Sequence, residues 1–203
     1  DPVWDRGIRA FDAAIGFGEC SNDGGAACPS ISWSIVVDGE RGDVLQISHT
    51  DVGDLAGLFI ASSTPIDMSS FSGGSLSFDI RVVSGDSNMT MKLDCVFPCT
   101  SGNQDLGSKG ASGWETVEVS LATLVAGGLD LSKVDTGIVF WATNAPSTVF
   151  QIHNVRFKSS DGSGPPPSGD YTITAYGAGS ISDTINPASY RCVVDFGNWI
   201  YNA

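Results

Sequence analysis

Positive charge is scarce in this chain. Of 203 residues only ten are Lys or Arg, against 23 Asp or Glu, which gives a formal net charge of -13. Binding a phosphate backbone takes clustered cations that displace condensed counterions, so nucleic acid is excluded as a partner. The same shortage favours a neutral polysaccharide over a polyanionic one, although a local Lys/Arg pocket could override the net field. Histidine is scarcer still: His49 and His153 are the only two, which leaves a catalytic triad unsupported and zinc without its usual ligands. No apolar run approaches the ~20 residues that cross a bilayer, so no membrane partner is expected. G-x-S-x-G, H-E-x-x-H, the P-loop and G-x-G-x-x-G before a helix are all missing. Glycoside hydrolysis needs two carboxyl groups facing each other across a cleft. Glu115, Glu118, Asp79 and Asp94 could stand on strands, but 23 acidic residues make some such pair inevitable. No catalytic residue is assigned, and a non-enzyme is expected.

What is present points to a small exported β-protein. Cys20 and Cys28 flank a Gly-rich loop, and Cys95 and Cys99 flank Val96-Phe97-Pro98, so two short local disulfides are the natural pairing. Disulfides imply an oxidising setting, and a secreted monomer is expected. No signal peptide precedes Asp1, which fits a chain that begins after a cleavage site or inside a longer protein. Residues 159–170 (SSDGSGPPPSGD) read as a linker that ends a first domain at residue 158. Residues 171–203 are too short to close a core, and read as the opening of a following module. The partner of Cys192 would then lie beyond Ala203.

Apolar alternation within residues 1–158 marks at least eight strands, among them Trp33/Ile35/Val37, Leu45/Ile47, Leu76/Phe78/Ile80/Val82, Met89/Met91/Leu93/Cys95 and Ile138/Phe140. Residues 121–133 hold a short helix or a long crossover. So many strands are too many for one small sheet, and the expected fold is all-β, a two-sheet antiparallel β-sandwich. Alternation also assigns the outward residues: Asp79 and Arg81 on one strand, Lys92 and Asp94 on the next, Trp141 on a third. If those strands are neighbours, the five side chains form one ligand-binding face. A sugar stacks its C–H face on an aromatic ring and needs polar groups for its hydroxyls, and such a face supplies both. The disulfide-stapled loop 95–107, presenting Phe97, is a second candidate site.

The series WSIVVDGERGDVLQISHT, GLFIASSTPIDMSSFSGGSLSFDIRVVSG, GWETVEVSLATL and VFQIHNVRF resembles galactose-binding-like jelly-roll carbohydrate-binding modules. More closely it is similar to the accessory modules of marine bacterial β-glucanases, including the extra C-terminal domain of exo-1,3/1,4-β-glucanases. That resemblance implies a non-catalytic module that targets a tethered glycoside hydrolase to neutral β-glucan of the laminarin type. The alternative is a structural module docking on its own catalytic domain without binding glycan. Related modules carry a structural calcium, and the resemblance puts Asp12 and Asn154 among its ligands, with His153-Asn154 standing where an acidic pair would be.

Overall fold

The computed structural model describes residues 4–21, 25–50, 55–143, 146–160 and 193–194. Two antiparallel sheets form a sandwich. The first has the order β2-β1-β5-β10-β7-β8, and is built from Gly7–Asp12 (β1), Gly18–Cys20 (β2), Ala56–Ile66 (β5), Asp86–Cys95 (β7), Gln104–Gly110 (β8) and Val134–Thr143 (β10). The second has the order β3-β4-β11-β6-β9, from Ile31–Asp38 (β3), Gly42–His49 (β4), Ser75–Ser84 (β6), Glu115–Ser120 (β9) and Val149–Lys158 (β11). One helix, Leu121–Ala126 (α1), follows β9 and buries Leu121 and Leu124. A two-residue strand, Val193–Val194 (β12), pairs with Val155 and Arg156 of β11. The rest of the expected following unit, Cys192 included, lies outside the described residues, as does nearly all of the expected linker.

The core sits between the two sheets. Its centre is Phe78 on β6 against Phe140 on β10, with ring centroids 4.8 Å apart in an edge-to-face pair. The inward apolar residues that the sequence assigns to β6, β7 and β10 are buried. It fails on β3, an edge strand: Val37 is 84 % exposed because the strand runs past the rim of the core.

The decisive feature for function is the passage from β6 to β7. Gly85 alone separates the two strands, at φ +85°, and a Cβ there would meet Thr148 Oγ1 at 2.7 Å. Only glycine turns the chain this tightly against a neighbouring strand. The chain therefore leaves the second sheet and enters the first at one residue, and consecutive strands present their outward faces on opposite sides of the molecule.

His49, at the end of β4, is buried and stacks on Phe150 with ring centroids 6.0 Å apart. Burial pushes its imidazole down to about 4, against the partial opposition of the Asp12 charge. A depressed histidine stabilises the fold fully above its ordinary value of 6.5 and loses that contribution as the pH falls toward 4. The loss is of order 3 kcal/mol across that window. Urea unfolding at pH 7 and pH 4.5 should show it, and His49→Gln should flatten the pH dependence over that interval.

Candidate functional site

Register places three rows of side chains on the outer face of the first sheet. Phe11 of β1 pairs with Glu19 and Gly57, and Gly57 pairs with Trp141, which pairs with Thr90. The next row runs Arg9, Phe59, Val139, Lys92. A third brings Thr136 beside Asp94. From these rows Phe11, Glu19, Phe59, Val139, Trp141, Lys92, Thr136 and Asp94 line a cleft of about 600 Å3, together with Arg6, Phe17, Leu55 and Asn103.

The floor is aromatic because one residue between two rings is glycine. A Cβ on Gly57 would stand 2.5 Å from the Phe11 ring and 2.6 Å from the Phe140 carbonyl oxygen. Without it, Phe11 settles over the β5 backbone, edge-on to Trp141 at 6.4 Å and an interplanar angle of 69°. Trp141 points outward but is only 9 % exposed, so it supports this floor more than it offers a free face. The walls are ionic and internally balanced. Arg6 donates to both oxygens of Glu19, at 2.8 and 2.6 Å, and Lys92 Nζ lies 2.8 Å from Asp94 Oδ2. Asp94 Oδ1 is enclosed and has no hydrogen-bond partner among the described residues.

Of the side chains expected to share one face, the structure brings together Trp141, Lys92 and Asp94. Asp79 and Arg81 must be moved: β6 belongs to the second sheet, so they face away from Trp141 across a sandwich whose layers are about 10 Å apart. There they belong to a closed network. Arg81 Nη2 donates to Asp38 Oδ2 at 2.7 Å and to Gln151 Oε1, while Gln151 Nε2 donates to Gln46 Oε1 at 2.9 Å. Thr116 Oγ1 donates to Asp79 at 2.6 Å, and the Trp114 indole donates to Asp38 at 3.2 Å. Arg81 and Arg41 also lie over the Trp114 ring, 5.0 and 5.7 Å from its centroid. Burial would raise the Asp38 carboxyl, yet the Glu40 and Arg41 backbone N–H groups, the Trp114 indole and the Arg81 charge together hold it below the usual range. Such groups fasten the β3–β4 turn and the Trp114 loop to the sheet, with their polar capacity spent on one another. Arg81→Ala should therefore lower the urea unfolding midpoint, because it strips partners from Asp38 and Gln151, and leave ligand affinity unchanged.

Phe97 is 92 % exposed but is not part of the cleft. It follows the end of β7, three residues beyond Asp94, at the tip stapled by Cys95–Cys99. Both expected disulfides are present, Cys20–Cys28 and Cys95–Cys99. A second, polar groove of about 580 Å3 lies at the end of β11. Its Glu118 is taken by Ser75 and Lys158, and its one ring, Phe157, is buried, so it offers no stacking surface.

The expected calcium ligands stand on different sheets. Asp12 ends β1 in the first sheet, whereas Asn154 sits in a left-handed bulge of β11 in the second. Both Asp12 oxygens already accept hydrogen bonds, from Ala14 N at 2.9 Å, Ser30 N at 2.7 Å and Ser30 Oγ at 2.9 Å. Among the described residues no three His, Cys, Asp or Glu side chains group around a common point. The residues present do not fit the ion. Asp12 is instead the buried anchor of the β1–β2 turn.

The family pattern of galactose-binding domain-like Exop_C domains matches residues 30–157. The chain belongs to that family. Its fold is similar to part of an exo-β-agarase, at 17 % identity and TM-score 0.54, over 72 % of this chain and 24 % of that one. It is similar to part of the exo-1,3/1,4-β-glucanase of a Pseudoalteromonas species, at 16 % identity and TM-score 0.51, over 77 % of this chain and 20 % of that one. The family 30 carbohydrate-binding module of a Clostridium thermocellum cellulosomal cellulase is similar over 76 % of this chain and 94 % of its own, at 17 % identity and TM-score 0.50. This Exop_C domain thus spans about a quarter of the agarase and a fifth of the glucanase. No curated protein matches the sequence. The family match begins at residue 30, so β1, β2 and the rings of Phe11 and Phe17 lie before it. No described helix is long and apolar enough to cross a membrane.

Proposed function

We propose that this domain is a secreted, non-catalytic module that binds neutral polysaccharide, β-1,3-glucan of the laminarin type, in the cleft of the first sheet. It would hold a glycoside hydrolase tethered through residues 159–170 on its substrate. The observation that carries this reading is the cleft itself, an aromatic floor between walls whose lining charges cancel, Arg6 against Glu19 and Lys92 against Asp94. Rings take the C–H faces of a sugar, and paired ions offer donors and acceptors to its hydroxyls without selecting for a charged chain. Binding should consequently show little dependence on salt. The two carboxylates of the cleft each face a cation, whereas the acid of a glycosidase is kept protonated in an apolar setting. The likeness to domains of an agarase, a glucanase and a cellulase supports polysaccharide as the ligand class.

Affinity electrophoresis against laminarin, mixed-linkage β-glucan, agarose, alginate and carrageenan tests the proposal. Retardation by laminarin in the micromolar to millimolar range, roughly -8 to -4 kcal/mol, is expected of a shallow site. Migration unchanged in every gel would refute it, and retardation by alginate or carrageenan alone would overturn its neutral-ligand part.

A further inference from the structure

The ring most available to a ligand in this cleft is Phe17, in the turn between β1 and β2, outside the family-matched segment. It is 61 % exposed and lines the same cleft as Trp141. Its ring lies 6.4 Å from that of Phe11 at an interplanar angle of 30°, so the two form a nearly continuous, gently folded apolar surface. Its backbone is the unusual part. Phe17 adopts φ +62°, between Gly16 at φ +71° and Gly18. A bulky side chain at positive φ is a rare outlier that persists only where the surroundings fix it.

The surroundings fix it closely. Phe17 N donates to the Asp12 carbonyl at 2.9 Å, and Gly16 N donates to the Ala13 carbonyl at 3.0 Å. The Asp12 carboxylate caps the turn through Ala14 N and ties it to Ser30. Cys20, which closes β2, is bonded to Cys28. A turn of this shape would form more easily with glycine at its centre, and a ring held outward in water adds nothing to the core. From this conformation, exposure and stacking we infer that the β1–β2 turn is built to present Phe17 as the stacking platform for a pyranose ring, with Asp12 as its positioning residue. The inference rests on the cleft being the glycan site, and it moves the principal sugar-facing ring from Trp141 to Phe17. The preferred ligand is then a neutral glycan whose consecutive sugars expose C–H faces along one side, meeting Phe17 and Phe11 in turn.

The test uses the full chain with laminarin, mixed-linkage β-glucan and agarose oligosaccharides, read by calorimetric titration alongside urea unfolding. Phe17→Gly removes the ring and relaxes the backbone together. Its unfolding midpoint should equal or exceed that of the parent, while affinity falls at least tenfold. Phe17→Tyr, which restores a ring, should recover most of that affinity. Phe17→Gly with parental affinity would overturn the inference, and if Trp141→Ala abolished binding in the same series the cleft reading would stand without it. A parent chain that binds none of the three glycans would overturn both.

Discussion

Trp141→Ala is expected to weaken glycan binding by at least tenfold while the domain remains folded. The indole is 9 % exposed and supports the edge of Phe11, so its loss opens a void under the cleft floor and lets that ring sink or turn. Large-to-small changes at buried aromatic positions cost about 3–5 kcal/mol in a closed core, and less at a site open to water on one side. A domain of ordinary stability, about 5–15 kcal/mol, survives that loss. The core pair Phe78–Phe140 lies on the other side of the sheet and is untouched. Arg81→Ala serves as the matched control, since it too lowers stability but alters only the opposite face. Affinity lost in both variants would mean that binding follows global stability, and affinity kept in Trp141→Ala would mean that the indole is not needed to hold the cleft floor.

Asp12→Ala should have the largest effect on stability among the polar substitutions. The side chain is fully buried and accepts from two backbone N–H groups and one hydroxyl, so its removal leaves Ser30 N with no partner. Each orphaned buried donor costs about 1–3 kcal/mol, which makes a total of about 3–5 kcal/mol reasonable. Glycan affinity should fall in step, because the turn carrying Phe17 loses its anchor. The same experiment separates hydrogen bonding from metal binding. Excess chelator should leave the parent protein's midpoint unchanged, whereas a chelator effect as large as that of Asp12→Ala would restore calcium to this position.

The layers of the fold were legible in the sequence because alternation follows burial along β7, and the inward apolar residues of β4, β6 and β10 are all buried. Which strands share a sheet was not. Alternation reports inside and outside, but says nothing of the side from which a strand approaches the core, and Gly85 reverses that side between Arg81 and Lys92. The structure therefore brings Trp141, Lys92 and Asp94 to one face and puts Asp79 and Arg81 on the other. The first strand stayed hidden for a different reason: Phe11 faces outward and Asp12 is wholly buried, the inverse of the pattern that hydrophobicity announces. Phe17 sits in a turn, where no period operates. The signal that could have found it is Gly16-Phe17-Gly18, an aromatic ring set between two residues of free backbone.

Backbone amide shifts during titration with laminarin oligosaccharide test most directly whether sugar meets the outer face of the first sheet. The expected perturbations cluster at Phe11, Phe17, Gly57, Phe59, Lys92, Asn103 and Trp141, with Asp38, Arg81 and Trp114 unmoved. Shifts concentrated on Asp38, Arg81 and Trp114, or on Phe97 alone, would contradict that placement.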